Sequence, residues 1–258
     1  SVSSPQAHQA DTSVVGTGEN ISDLPSTTGH SALSVEPTSI KAALASADSD
    51  HWHLAILDEL SAMEANDVYE VVLRRDVPKD IKLLRSRMVF KKKLDDQGNI
   101  IKYKARWVAK GYSQIKGVNY TETFAPTATV TAIRAMLAMA ISRKMYIQQM
   151  DVTTAFLNAP LDHDVYVQPP EIPGKYPPNS VLKLKRGLYG LKQSPRLWNH
   201  TLDQWMRKDG FLPTATDACI YSKVTKGHYR VWVAVYVDDL LIFTDVQEDM
   251  SSFKKAIA

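Results

Sequence analysis

Cysteine is almost missing: the 258 residues contain one, Cys219. That excludes an internal disulfide framework and a zinc site built from several thiolates. It fits a reducing compartment. Long apolar runs are missing too. The longest, Val231 to Val237 among them, have seven residues, against about 20 needed to cross a bilayer. The N-terminus has neither the basic residues nor the apolar stretch of a secretory signal. The expectation is an intracellular protein with no membrane contact. A strong excess of one charge is also lacking. The formal net charge is only +3, so the overall balance points to no partner, and any electrostatic site must come from clustering.

The first 50 residues lack aromatics altogether. They hold eleven Ser and five Thr, with six acidic residues and one basic residue, Lys41. Such a stretch buries too little apolar surface to offset its ordering entropy. Residues 1–40 are therefore expected to be a disordered Ser/Thr-rich linker, with a helix starting at Thr38 or Ser39. Beyond it, helical and strand patterns alternate along the chain, which is read as an α/β (α+β) protein. Trp52, Ile56, Leu60 and Met63 recur at spacings of four and three, which predicts an amphipathic helix over 51–66. A short strand follows at 68–72. Residues 74–116 then carry fourteen Lys and Arg against four Asp, a local excess of +10. Within them, 87–94 and 100–108 are strand-like, and 95–99 supplies turn residues, so a hairpin with basic arms is expected. Helices are expected over 128–144 and about 195–208. A strand at 145–150 ends on Asp151, and a helical turn at 153–158 is stopped by Pro160. The prolines at 169, 170, 173, 177 and 178 mark a loop. Strands at 229–237 and 240–244 are separated only by Asp238 and Asp239.

Those two aspartates are the most informative pair in the chain. Adjacent carboxylates repel each other, and apolar strands on both sides limit the water that would relieve this. An aspartate pair at a turn is ordinarily just a solvated turn. Here a third carboxylate, Asp151, closes another apolar strand. If the strands lie side by side, the three carboxylates converge at one sheet edge. That suits two divalent ions about 3.5–4 Å apart. Hard oxygen ligands favour Mg²⁺ or Mn²⁺ over zinc. The basic hairpin supplies charges that a nucleoside triphosphate needs, although a run such as Lys91, Lys92 and Lys93 taken alone reads as a solvated face. His51 and His53 face apart on a helix and do not read as metal ligands.

A longer set of residues resembles the reverse transcriptase of copia-type LTR retrotransposons. It includes Trp52, Glu59 and Asn66, then Met-Val-Phe-Lys-Lys-Lys at 88–93. Next come Tyr-Lys-Ala-Arg-Trp-Val-Ala-Lys-Gly-Tyr at 103–112 and Glu-Thr-Phe-Ala-Pro at 122–126. Gln-Met-Asp-Val-Thr-Thr-Ala-Phe-Leu-Asn at 149–158 and Leu-Tyr-Gly-Leu-Lys-Gln-Ser-Pro-Arg-Leu-Trp at 188–198 follow. Tyr-Val-Asp-Asp at 236–239 completes it.

The resemblance implies right-hand polymerase fingers and a partial palm behind the N-terminal linker. Residues 41–125 would form the N-terminal helix and the fingers with the basic hairpin. Residues 126–160 would be palm with the first aspartate, 161–194 a return through the fingers, and 195–258 palm with the second and third. Asp151, Asp238 and Asp239 would be the catalytic, metal-binding carboxylates for two Mg²⁺ (or Mn²⁺). Phe156 would lie under the incoming sugar and exclude a 2′-hydroxyl. Lys92 and Arg106 are the best matches for the triphosphate contacts, with Lys91, Lys93 and Lys104 as alternatives. Tyr189, Gly190 and Gln193 match the segment that packs on the nascent base pair and template.

The implied partners are dNTPs, an RNA or DNA template with its primer, and the rest of a Gag-Pol polyprotein, with integrase upstream and RNase H downstream. The implied setting is a cytoplasmic virus-like particle or the nucleus. Two departures stand out. Thr127 replaces the family's usual Val, and the chain stops at Ala258, before the family's primer-gripping hairpin, thumb and RNase H. It therefore reads as a polyprotein fragment. Two competing readings remain: a catalytically silent relic that binds nucleic acid through the 74–116 patch, and a metal-dependent nuclease using the same carboxylates.

Overall fold

The structure is a computed structural model that describes residues 7–8, 35–79, 81–225 and 229–257. It is a mixed α/β protein with one large sheet, one small sheet and a separate hairpin. Most of the linker expected over 1–40 lies outside the described residues. Within that stretch, Ala7–His8 (β1) runs antiparallel along Val152 and Asp151. The first helix, α1 (Ile40–Leu44), starts one residue after Ser39, whose hydroxyl accepts the Ala42 N–H. Helix α2 covers Ser49–Ala65, and its stripe of Trp52, Ile56, Leu60 and Met63 is buried as its spacing predicts.

The small sheet has the order β2-β7-β6, formed by Tyr69–Leu73, Ser180–Arg186 and Pro160–Val167. The last two strands were not expected from the sequence. Pro160 does end the preceding turn at Ala155–Asn158, but it then opens a strand, where its missing N–H costs no ladder bond. The proline-rich loop lies between these two strands.

The hairpin is β3 (Ser86–Leu94) and β4 (Ile100–Ala109). Side chains alternate between its faces. Met88, Phe90, Ala105 and Trp107 turn inward to a core shared with α2. Trp52 packs edge-on against Phe90 and Tyr103.

The large sheet has the order β1-β5-β11-β10-β9-β8. It is built from Tyr146–Val152 (β5), Leu212–Pro213 (β8), Ile220–Thr225 (β9), Tyr229–Tyr236 (β10) and Asp239–Thr244 (β11). Helices α3 (Val130–Arg143), α4 (Ser194–Lys208) and α5 (Gln247–Ile257) share its core, with Trp198, Phe211 and Phe243 fully buried. Neither α5 nor β9 was expected. Leu161 packs against both this core and the one under the hairpin. Among the described residues no helix is long and apolar enough to cross a membrane.

Candidate active site

Strand β11 lies between β10 and β5, and its register sets the site. Asp239 stands directly opposite Asp151 on β5 and opposite Tyr236 on β10. The boundary differs slightly from expectation: the two-residue turn is Val237 and Asp238, and Asp239 already belongs to the strand. Directly opposed residues project to one face, with Cβ atoms roughly 4.5–5.5 Å apart. Two like charges there destabilise the sheet. Gln149, two residues before Asp151, offsets part of this by donating its Nε2–H to Asp239 Oδ1 at 3.1 Å. Asp238 sits at the turn, and its carbonyl accepts the Val152 N–H at 2.9 Å.

The turn is strained and held. Val237 has φ +59°, the left-handed region that β-branched residues avoid. A tight hairpin requires positive φ at this position and usually recruits Gly or Asn. The carbonyl of Val237 accepts the indole N–H of buried Trp198 at 2.7 Å. Helix α4 thereby fixes a conformation that costs on the order of 1–3 kcal/mol.

Burial pushes the Asp238 carboxyl above the usual carboxylate range, and the charges of Asp151 and Asp239 push it the same way. A cation would relieve this, and three hard oxygen donors at one end of adjacent strands suit a divalent one. Among the described residues, however, no three His, Cys, Asp or Glu side chains stand close enough together to hold a metal ion. The strands nonetheless bring the three carboxylates to one edge of the sheet.

The hairpin presents its cations by parity. Val89 pairs with Arg106, Lys91 with Lys104 and Lys93 with Lys102, so these residues share the face opposite α2. Arg106 lies over the Tyr189 ring at 5.5 Å and lowers the Asp238 pKa. Lys104 is pushed below the usual lysine range, first by burial and then by Arg106, while Asp151 opposes the shift. Both cations therefore sense the carboxylates.

Lys92, the other expected triphosphate contact, lies on the opposite face of the hairpin. It has the same parity as Met88 and Phe90, so its side chain points toward α2. There it pairs with Asp48 and lies over Tyr103. Lys104, one of the expected alternatives, shares the face of Arg106.

Phe156 and Tyr189 meet edge to face at 5.2 Å, next to Arg106. Gly190 has φ +86°, and a Cβ there would lie 2.2 Å from the Ala109 carbonyl oxygen. The backbone at Gly190 thus passes close against β4. Gln193, in the segment expected to pack on the nascent base pair and template, is itself fully buried. Its Oε1 accepts from Gln114 and its Nε2 donates to the Asn119 carbonyl. It braces the 111–120 loop from inside.

Residues 66–258, three quarters of the chain and every candidate residue above, match the reverse transcriptase (RNA-dependent DNA polymerase) family. The chain belongs to that family. It is similar to retrovirus-related Pol polyproteins from transposon TNT 1-94 of Nicotiana tabacum and transposon RE1 of Arabidopsis thaliana. The identities are 36% over 210 residues and 38% over 203, covering 80% and 78% of this chain. It is also 28% identical over 203 residues, 78% of the chain, to the Ty1-LR2 Gag-Pol polyprotein of Saccharomyces cerevisiae. The matched part makes up 15%, 14% and 11% of those polyproteins. The resemblance to copia-type retrotransposon reverse transcriptases holds.

In this reverse transcriptase domain, sequence reasoning gave no role to three residues near the site: Gln149, Trp198 and Glu59. Gln149 was legible as the residue two positions before Asp151, on the same strand face. Trp198 carried the general signal that a buried indole N–H seeks an acceptor. Glu59 left no such signal. It is buried on α2, and its Oε1 accepts the Trp107 N–H at 2.8 Å on the outer edge of β4. Burial raises its pKa from 4.5 to about 7, opposed by that hydrogen bond and by the charges of Arg106 and Lys104.

Between these two values the folded chain holds a proton that the unfolded chain has lost. Stability should therefore fall as pH rises through this window and level off above it. Each tenfold in proton affinity is worth roughly 1.4 kcal/mol, so the limit is about 3 kcal/mol. Glu59→Gln keeps the acceptor and removes the charge. Urea unfolding should show the variant gaining on the native protein between pH 5 and pH 8. A difference independent of pH would refute the burial account.

Proposed function

We propose that this domain is the RNA-directed DNA polymerase core of a copia-type retrotransposon. Its hairpin, α1, α2 and small sheet act as fingers, and its large sheet as a partial palm. The observation that carries this reading is the register of Asp151 against Asp239, with Asp238 at the adjoining turn and Arg106 and Lys104 facing them.

Asp151, Asp238 and Asp239 would hold two Mg²⁺ or Mn²⁺ ions. Such ions supply Lewis acidity to a primer 3′-oxygen and to the phosphate it attacks. The chain's own residues do the rest. Arg106 and Lys104 neutralise the triphosphate, and Arg106 is oriented by stacking on Tyr189. Phe156 and Tyr189 form an apolar floor under the incoming sugar and base, and the ring of Phe156 fills the space a 2′-hydroxyl would need. Contacts to the template run mainly to its backbone, because a copying enzyme must accept any sequence. The working partners would be dNTPs, primer and template, with integrase and RNase H in the same polyprotein. The setting would be a particle or the nucleus inside the cell.

Primer extension tests the reading. An RNA template with a DNA primer, Mg²⁺ or Mn²⁺ and dNTPs should give extension, and ribonucleotides should be refused. Phe156→Ala should admit ribonucleotides at least tenfold better relative to dNTPs. A folded protein that extends nothing, or that cuts nucleic acid instead, would overturn it.

A further inference from the structure

The hairpin is a sheet of two strands, and two strands alone are marginal in water. Each of its outer edges meets a glutamate. On β3 the Lys92 N–H donates to Glu36 Oε1 at 3.1 Å, and on β4 the Trp107 N–H donates to Glu59 Oε1 at 2.8 Å. The two acids sit in opposite settings. Glu36 is partly exposed and paired with Lys91. Glu59 is buried, and Arg106 and Lys104 act on it through space rather than as ion pairs.

Two residues along the same edge of β4, the Ala109 N–H donates to the Tyr189 carbonyl at 2.8 Å. Glu59 and the tyrosine loop therefore hold one edge together. Arg106, the residue before Trp107, lies over the Tyr189 ring at 5.5 Å, and Lys104 shares its face. The carboxylate thus meets, edge-on, the strand that carries the proposed triphosphate contacts. Among the described residues, the titratable groups that face it are Arg106 and Lys104 on β4 and Tyr189 on the loop.

A strand edge needs only an acceptor. Glutamine would supply one without placing a charge in the core, where an ionised carboxylate is costly. The extra charge has a use here. Arg106 and Lys104 repel each other on one strand face. While the site is empty, an ionised Glu59 offsets that repulsion. A triphosphate lying on the two cations offsets it with more charge, and its own charge then disfavours ionised Glu59.

We propose that Glu59 is the proton-exchanging counter-charge of the nucleotide site, ionised while Arg106 and Lys104 are unoccupied and protonated once a triphosphate lies on them. Nucleotide binding then draws one proton from solvent onto the carboxylate, and no covalent bond of the nucleotide changes. The inference rests on the polymerase reading for the identity of the ligand, and its test reads binding rather than turnover.

Isothermal titration calorimetry supplies the proton count. Magnesium dTTP is titrated into the full chain, held on an RNA template presenting adenine and a dideoxy-terminated DNA primer. Buffers of different ionisation heat separate proton uptake from binding heat. Glu59→Gln, which keeps the acceptor for Trp107, subtracts the protons exchanged by the nucleotide and by other groups. With the Glu59 pKa at about 7 in the empty site, a tenfold rise in its proton affinity gives an uptake of roughly 0.5 proton per dTTP at pH 7.5 beyond that of the variant. By the same linkage, the native affinity for dTTP should fall about tenfold more than that of the variant between pH 6 and pH 9. The native chain gives a second reading by itself. In glutamate-labelled protein one ¹³C carboxyl resonance should titrate near pH 7, and dTTP should raise its midpoint.

Equal proton counts in the two proteins, or affinities that differ by one constant factor at every pH, would overturn the counter-charge and leave Glu59 a plain edge acceptor. So would a carboxyl midpoint that dTTP leaves unmoved or lowers. Those outcomes in a chain that binds dTTP refute the role of Glu59 alone. A chain that holds primer and template yet binds no dTTP refutes the polymerase reading along with it.

Discussion

Asp238→Asn/Asp239→Asn should lower primer extension at least about a thousandfold, some 4 kcal/mol of barrier, while making the fold more stable. The two effects have opposite signs for one reason. Asn keeps the size of Asp and leaves the backbone bond from Val152 to the Asp238 carbonyl intact. It removes charge that burial and the neighbouring carboxylates already oppose in the folded state. A group whose folded pKa is raised costs stability at any pH where the unfolded chain has it ionised. At neutral pH the Asp238 charge is therefore a cost to the fold, and taking it away is a gain. Residues kept at the expense of stability mark a working site. Thermal unfolding and extension measured on one preparation decide it. Extension that survives would sink the assignment of these carboxylates. Lost extension with lost stability would make them structural.

Gly190→Ala is the second large effect. The chain crosses β4 here so closely that a methyl group would lie 2.2 Å from the Ala109 oxygen and 2.7 Å from Val108 Cγ1. Neither neighbour is a flexible side-chain tip that could swing away. The left-handed φ adds its own strain. Together these should cost roughly 3–5 kcal/mol. The hairpin base should separate from the 187–191 loop, losing the Ala109 N–H to Tyr189 carbonyl bond at 2.8 Å and the seat of Arg106 on Tyr189. Gly98 at the hairpin tip provides a control. Its φ is +85°, but nothing lies within 4 Å of its would-be Cβ. Gly98→Ala should cost only the backbone term, about 1–2 kcal/mol. The difference between the two variants in urea unfolding isolates the close approach, and equal costs would show that no such approach exists.

Much of this was legible from local pattern. The stripe on α2, the turn residues between β3 and β4, and apolar strands ending on aspartates are short-range signals, and the structure bears them out. Strands β6 and β7 were hidden because charged residues such as Asp162, Asp164, Lys183 and Lys185 interrupt them, so they do not read as apolar runs. The place of Lys92 was in fact readable: Met88 and Phe90 give its parity, and parity outweighs its place in a basic run. Gln193 could not have been placed. A buried amide is satisfied only by particular partners, and its own lie 74 and 79 residues away in the chain. The same holds for Glu59, whose partner on β4 is 48 residues distant.

The pairing of Asp151 with Asp239 also has a consequence in time. They are 88 residues apart. At synthesis rates of roughly 5–20 residues per second, about 4–18 seconds pass between the making of one and of the other. Through that interval β5 exists without the neighbour that covers its inner edge, and an uncovered edge invites other strands. The proposed chemistry therefore cannot begin on a nascent chain before β11 has been made, and the first carboxylate waits on the ribosome for its partners.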